Sequence, residues 1–153
     1  MKNERIRIAA VSVLIVLTLC YIWYNSMESV ERSSARSSEL VEFLEPILEP
    51  VVGEGDVTEH FIRKSAHFCE FCLLGAELRL LFLLLRFRLL QGHANALFAA
   101  LCAAVADESI QFFFKRGSQV LDVVLDFSGS FFGALVVLLI ALGVRKRKEK
   151  HRT

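Results

Sequence analysis

The sequence lacks charged residues in two long stretches, residues 8–27 and 127–144, although 23% of its 153 residues are charged. Each stretch holds roughly 18 to 20 residues, long enough for a helix to cross a hydrocarbon layer of about 30 Å. The composition also lacks the signs of a disordered, collagenous or disulfide-stapled protein, because 54% of the residues are hydrophobic. The mean hydropathy of +0.48 argues against a soluble enzyme. We therefore expect an integral membrane protein, and the length allows one domain, residues 1–153.

The sequence has no excess of positive charge and no pair of C-x-x-C motifs. A net charge of +1 leaves no basic face for a nucleic acid once the terminal clusters are set aside. Cys69 and Cys72 form a single C-x-x-C, which could be a redox or metal half-site, but no second one completes a zinc site. We interpret the four cysteines as small apolar residues packed in the membrane. We expect no nucleic-acid partner, no cofactor and no resident metal.

The hydropathy pattern predicts an all-α membrane protein built as a four-helix transmembrane bundle. The predicted spans are residues 6–24, 61–85, 94–114 and 121–144. The first ends at Trp23 and Tyr24, as is common for aromatic residues at a membrane interface. This span is longer than the apolar core of a cleaved signal peptide, and no cleavage site of small residues follows it. We therefore expect it to be retained.

Residues 25–60, between the first two spans, are polar and mostly acidic. Apolar residues recur there at helical spacing from Leu40 to Val51, and glutamates take the opposite face. Pro46 and Pro50 are expected to limit or kink this helix. Its acidic face argues against binding to anionic lipid. This amphipathic helical segment of the extracytoplasmic loop could lie on the membrane surface or on the bundle, and we expect it to pack on the bundle.

Lysine and arginine cluster before the first span, between the second and third spans, and in the tail at residues 145–153. Four crossings place all three clusters on the same side of the membrane. The positive-inside rule then predicts that both termini are cytoplasmic. The tail is interpreted as a topology signal that contacts lipid.

Ionisable side chains in the last three predicted spans gather at one depth. At 1.5 Å per residue, His67 and Glu70 lie roughly 6 and 10 Å below Arg63, in the outer half of the membrane. A charged side chain at a helix centre costs about 2.5–3.5 kcal/mol, so these groups should face the interior of the bundle. We expect an outward-facing polar cleft. The candidate ligand-binding residues are Arg63, Lys64, His67, Glu70, Asp107, Glu108, Gln111, Arg116, Asp122 and Asp126.

The last span carries two acids and two glycines on one stripe. Asp122, Asp126, Gly129 and Gly133 follow each other at steps of four, three and four residues. A G-x-x-x-G spacing lets a neighbouring helix approach closely. We therefore expect Gly129 and Gly133 to serve helix packing and the two acids to face the same neighbour.

Several roles stay open for this cleft. The charges could hold the helices together as ion pairs. A membrane enzyme would use His67, Glu70, Asp107 or Glu108 as a general acid or base, and these are the catalytic candidates. The same four residues could form a metal site, although no H-E-x-x-H spacing occurs. A small transporter would require a homo-oligomer, because four helices are few and no internal repeat is present. The absence of a nucleophile–base motif and of a glycine-rich phosphate loop favours binding over catalysis.

Four short segments carry a resemblance to a known family. Residues 63–71 read RKSAHFCEF and are similar to R-K-x-x-H-F-x-E-Y, with Phe71 in place of the usual tyrosine. Residues 106–111 read ADESIQ and resemble D-E-x-x-Q, and residues 116–123 resemble R-x-G-x-x-x-D-V. Residues 126–133 match a later N/D-x-x-G and the next glycine. These are motifs of the VanZ-like family of integral membrane proteins, and the resemblance covers roughly residues 60–144.

The resemblance implies a multi-pass protein of the bacterial cell membrane that acts in the cell envelope. The family is named for an accessory protein of glycopeptide resistance, linked to teicoplanin and its lipidated relatives. That protein acts without remodelling the D-Ala-D-Ala terminus of the cell-wall precursor. The function to expect is a contribution to glycopeptide or lipoglycopeptide resistance through a cleft that binds a lipid-linked or anionic ligand. The expected partners are the lipid bilayer and a lipid-linked cell-wall intermediate or a lipoglycopeptide.

Overall fold

The computed structural model describes residues 2–53, 55–114 and 119–150, and these residues form five α-helices. The helices are α1 (Lys2–Ser26), α2 (Val30–Val52), α3 (Glu59–Leu84), α4 (Leu89–Phe113) and α5 (Val120–Lys150). Three of them, α1, α4 and α5, are long and apolar enough to cross a membrane. The prediction of an all-α protein of the membrane type is therefore confirmed.

The helix α3 is at the centre of the fold and contacts each of the other four helices. The sequence of α3 contains more charged side chains than the apolar parts of α1, α4 and α5. Composition alone therefore does not identify α3 as a membrane-spanning helix. Its neighbours enclose much of it. Phe71, Leu74 and Arg79 are fully buried, and Glu77 is buried beside Thr18 of α1, whose hydroxyl donates to Glu77 Oε1 at 3.1 Å.

Close contact between backbones joins α3 to α5. A Cβ atom at Gly129 would overlap the carbonyl group of Phe68, and one at Gly133 would overlap the carbonyl group of Cys72. Both glycines of the α5 stripe therefore lie directly against the α3 backbone, and side chains at these positions would force the two helices apart.

The contact is reciprocal, since α3 also places a glycine against α5. A Cβ atom at Gly75 would overlap the backbone of Ser130. The hydroxyl group of Ser130 donates to the Phe71 carbonyl at 3.0 Å, deep between the two helices. Small residues on both helices thus set the distance between α3 and α5. The arrangement of the polar side chains at the end of the bundle depends on this distance.

The helix α2 contacts α3, and its buried side chains lie in its first half. Ser29 caps the helix by accepting a hydrogen bond from the backbone of Arg32. Ser33 and Ser37 are buried, whereas several apolar side chains farther along are exposed: Leu40, Phe43, Ile47 and Val51. The other apolar positions, Val41, Leu44 and Leu48, are half-buried, so the apolar face is covered only in part. The helix also continues through Pro46 and Pro50 and ends only at Val52.

At the end of the bundle away from α2, the start of α1 meets the end of α3. Arg86 donates from Nη2 and Nε to Glu4 Oε1, at 2.7 and 3.0 Å. The buried Arg79 guanidinium donates to the carbonyl of Leu89, the first residue of α4, at 3.4 Å. The helix α5 continues past the predicted end of its span to Lys150, through most of the basic tail.

The two glycines Gly133 and Gly143 offer a matched test of the α3–α5 contact. We expect Gly133→Ala to lower the free energy of unfolding by about 1–3 kcal/mol, because the new methyl group overlaps the α3 backbone. Gly143 has open space around it, so Gly143→Ala should leave stability unchanged or raise it by up to about 1 kcal/mol. Unfolding by SDS in detergent micelles, followed by circular dichroism, measures both. Equal effects of the two substitutions would contradict the close contact.

Candidate functional site

The polar side chains of four helices meet at one end of the bundle. The end of α1, the start of α3, the end of α4 and the start of α5 all lie there. They surround a cleft of about 170 Å³. Its lining residues are Val30, His60, Arg63, Lys64, His67, Gln111, Gln119, Asp122, Leu125 and Asp126.

His67 faces two buried carboxyl groups from different helices. Its Nδ1 atom lies 3.8 Å from Asp107 Oδ2 of α4 and 3.8 Å from Asp126 Oδ1 of α5. Asp107 is 0% exposed and Asp126 is 1% exposed. We call these three residues the triad. One ligand-type atom from each triad residue lies within 4.8 Å of the other two, so the triad is also a group that could hold a metal ion.

Asp107 is held in place by hydrogen bonds from two sides. The hydroxyl group of Ser26, at the end of α1, donates to Asp107 Oδ1 at 2.5 Å. The amide of Gln111, one turn farther along α4, donates to Asp107 Oδ2 at 2.8 Å. Because a buried carboxyl group needs donors, these contacts fix both its position and the orientation of its oxygens.

Asp126 has a different environment. Neither of its carboxyl oxygens accepts a hydrogen bond from any other described residue, although both atoms are shielded from solvent. His67 Nδ1 is the basic group near it. A buried polar group without a hydrogen-bond partner is uncommon in native structures and calls for a physical explanation.

Two cations from the first turns of α3 lie at the edge of the cleft. Lys64 Nζ contacts Asp122 Oδ1 at 2.6 Å, in a pair that is partly open to solvent. Arg63 lines the cleft and forms no ion pair with any other residue in the described ranges. Arg63 is therefore the cation best placed to meet an anion from outside.

A smaller cavity of about 50 Å³ adjoins the cleft and shares Arg63 and His67 with it. It contains Glu70, which accepts a hydrogen bond from Asn25 Nδ2 of α1 at 3.1 Å. Arg36 of α2 donates in turn to Asn25 Oδ1 at 3.5 Å. Glu70 is thus held by α1 and, through Asn25, linked to α2.

The four catalytic candidates do not form one group. His67 and Asp107 belong to the triad, whereas Glu70 lies in the smaller cavity. Glu108 accepts a hydrogen bond from the backbone of Gln119 and borders a shallow apolar groove along α4. Six of the candidate ligand-binding residues line the cleft itself: Arg63, Lys64, His67, Gln111, Asp122 and Asp126. Arg116 lies outside the described residues.

Sequence reasoning missed the contribution of α1. Asn25 and Ser26 were assigned to the loop, but both are buried and donate hydrogen bonds to candidate acids. Their position in the sequence could have indicated this role. They are the first polar pair after a long apolar run, and they lie at the same depth along the bundle as the candidate acids. Arg36 was also missed, because the register of α2 on the bundle depends on tertiary contacts.

The contact between Ser26 and Asp107 can be tested with two serines. Ser26→Ala should lower the free energy of unfolding by about 1–3 kcal/mol, because a buried carboxyl group loses a donor. Ser109 lies on the surface of α4 and its hydroxyl donates to the Val105 carbonyl of its own helix. Ser109→Ala should therefore change stability by less than about 0.5 kcal/mol. SDS unfolding compares them, and a stable Ser26→Ala protein would argue against the contact.

Comparison with known proteins adds a family to this geometry. No curated protein and no solved structure matches the chain. The family model described as VanZ/LLP1 matches residues 11–141, which include every described triad and cleft residue and parts of all five helices. This match covers most of the chain, and the protein therefore belongs to the VanZ/LLP1 family.

Proposed function

We propose that the chain is a single multi-pass domain of the bacterial cell membrane in which α3 is a fourth span beside α1, α4 and α5. A helix of 26 residues is about 39 Å long, enough to cross the hydrocarbon layer. The charged side chains within its apolar part, Glu70, Glu77 and Arg79, contact neighbouring helices. Charges that face a bundle interior are tolerated in membranes far better than charges that face lipid.

The cleft faces the outside of the cell and both termini are cytoplasmic. This orientation is supported by three basic segments at the end of the bundle opposite the cleft: the start of α1, the turn after α3 and the end of α5. The contact between Arg86 and Glu4 joins two of these basic segments. The positive-inside rule assigns such an end to the cytoplasm. The exposed apolar residues Phe43, Ile47 and Val51 then let α2 lie in the outer membrane interface.

Labelling of single cysteines tests this orientation. In a chain whose four native cysteines are replaced by alanine, we expect Ala35→Cys on α2 to react with a membrane-impermeant maleimide in intact cells. Glu149→Cys in the tail should react only after the cells are opened. Both positions are exposed, so access to the reagent decides the result. The reverse pattern, or labelling of both cysteines in intact cells, would contradict the proposed orientation.

The cleft binds the anionic group of a lipid-linked ligand. The observation that carries this proposal is Arg63, a cation that lines both cavities without an ion pair to any other described residue. Arginine binds phosphate and carboxylate through paired, charge-assisted hydrogen bonds. The cleft lies at the end of apolar helices, so a ligand could place its head group there while its hydrocarbon chain stays in the bilayer. Lys64 at the rim adds a second positive charge.

Membership of the VanZ/LLP1 family indicates which ligands of the cell envelope to consider. A lipid-linked cell-wall intermediate carries phosphate groups and a long hydrocarbon chain, the two features that such a cleft accommodates. A lipoglycopeptide likewise combines a lipid tail with ionised groups. We propose that binding of one of these ligands contributes to resistance against teicoplanin-type antibiotics, by shielding the precursor or by holding the drug.

A membrane enzyme is the second candidate function. The observation that favours it is the triad, in which an imidazole lies between two buried carboxyl groups and could accept or donate a proton. Catalysis would then depend on His67 and Asp107. Glu70 and Glu108 would act at a distance from them.

A binding assay separates the two candidates. The purified chain in lipid nanodiscs is titrated with a fluorescent polyprenyl pyrophosphate. We expect Arg63→Ala to weaken binding by about tenfold or more, because a charge-assisted contact contributes about 1.5–3 kcal/mol. Arg63→Lys should restore part of the loss.

Arg88 at the opposite end of the bundle is the matched control. It is exposed and forms the N-terminal cap position of α4, and Arg88→Ala should bind like the parent chain. Equal affinities of the Arg63→Ala and parent chains would refute anion binding in the cleft. Release of a new product during prolonged incubation, abolished by His67→Gln, would identify an enzyme instead.

A further inference from the structure

We propose that the triad of His67, Asp107 and Asp126 binds one divalent transition-metal ion at the floor of the cleft. This site goes beyond the anion binding described above and stands independently of it. Three helices supply one ligand each: α3 the imidazole, and α4 and α5 the carboxylates.

The distances within the triad are close to those of a bound ion. His67 Nδ1 lies 3.8 Å from a carboxyl oxygen of each aspartate, and the three ligand atoms lie within 4.8 Å of one another. Metal–nitrogen and metal–oxygen bonds of about 2.0–2.2 Å hold the ligands of one ion about 3–4 Å apart. A small inward movement of the side chains is therefore enough to complete the coordination.

Asp126 gives the second, independent indication of a ligand. It is 1% exposed, and neither of its oxygens accepts a hydrogen bond from any described residue. Lys64, the lysine of α3, is already paired with Asp122. A carboxylate buried in this way is costly unless it meets a cation, and a metal ion bound at Oδ1 would meet that need.

The surroundings of Asp107 are those of a supported metal ligand. Metal-binding carboxylates are commonly oriented by hydrogen bonds from neighbouring side chains. Ser26 donates to Oδ1 of Asp107 and Gln111 donates to Oδ2, the oxygen that lies 3.8 Å from His67 Nδ1. The backbone contact between Gly129 and Phe68 in turn keeps Asp126, three residues before Gly129, beside His67, the residue before Phe68.

The ligand set indicates the class of metal. One imidazole and two carboxylates suit ions such as Zn²⁺, Mn²⁺ or Fe²⁺, whereas Ca²⁺ and Mg²⁺ prefer oxygen ligands alone. Three protein ligands leave at least one coordination position open. That position faces the cleft, because His67 and Asp126 both line it.

Metal content of the purified full-length chain tests the site. Cys69 and Cys72 are first replaced by alanine, so that thiolates do not bind the probe. The protein is stripped with EDTA, loaded with ZnCl₂, freed of excess metal by gel filtration, and analysed by mass spectrometry for zinc. We expect one Zn²⁺ per chain, and at least a tenfold loss of retained zinc in both His67→Gln and Asp126→Asn.

Glu42 provides the control, since it is an exposed acid on α2 and lines neither cavity. Glu42→Gln should retain one Zn²⁺ per chain. Thermal unfolding gives a second readout that does not depend on retention during filtration. Added Zn²⁺ should raise the melting temperature of the parent and Glu42→Gln proteins but not that of Asp126→Asn. Without metal, Asp126→Asn should be at least as stable as the parent, which separates lost binding from misfolding.

Three results would overturn the metal site: a parent chain without stoichiometric zinc, an Asp126→Asn chain that keeps its zinc, or equal loss in Glu42→Gln. Any of these would leave the triad as a contact between His67 and its two aspartates without a metal ion. The assay contains no polyprenyl ligand and leaves Arg63 intact. A negative result for zinc would therefore not count against the anion-binding proposal.

Discussion

The interior of an apolar helical bundle tolerates ionisable side chains only where another helix meets them, and this constraint organises the whole polar end of the molecule. Three of the acids that face the interior have a neighbour on another helix. Asn25 of α1 donates to Glu70, Ser26 of α1 donates to Asp107, and His67 of α3 faces Asp126. Moving any one of these helices would leave a buried polar group without its contact, at a cost of about 1–3 kcal/mol. The cleft therefore forms where the ionisable side chains of one helix contact polar side chains of another.

The glycines of α3 and α5 make this arrangement possible. They let the two backbones touch at Phe68 and Cys72, and so bring the start of α5 close to the start of α3. With larger residues at these positions, the helices would stand farther apart and Asp126 would lose its contact with His67. Helix packing and the chemistry of the site thus depend on the same few residues. A stability defect in a glycine variant should accordingly be accompanied by a change in the site.

Much of this organisation could be predicted from the sequence, because the signals are local. Charge-free stretches indicate apolar helices, and a rise of 1.5 Å per residue places His67, Asp107 and Asp126 at a common depth. Rotation about the helix axis was harder to judge. Asp107 and Glu108 are neighbours in the chain, but successive helical residues point about 100° apart, so only Asp107 faces His67 while Glu108 turns towards Gln119. The exposure of Phe43, Ile47 and Val51 on α2 could not be foreseen either, since burial there depends on which side of the helix meets the bundle.

The account depends most directly on the distance between His67 and its two aspartates, and solid-state NMR in lipid bilayers measures it. The imidazole is labelled with ¹⁵N and the aspartate carboxyl carbons with ¹³C, and the His67 signal is assigned from a chain that lacks this histidine. The account predicts measurable dipolar coupling from Nδ1 to two carboxyl carbons, as required by separations of 3.8 Å to an oxygen of each group. Asp107→Asn and Asp126→Asn should each remove one of the two couplings, because the asparagine side chain carries no labelled carbon. An imidazole without coupling to any aspartate carboxyl carbon would mean that the acids and the histidine do not meet, and the cleft as described would not exist.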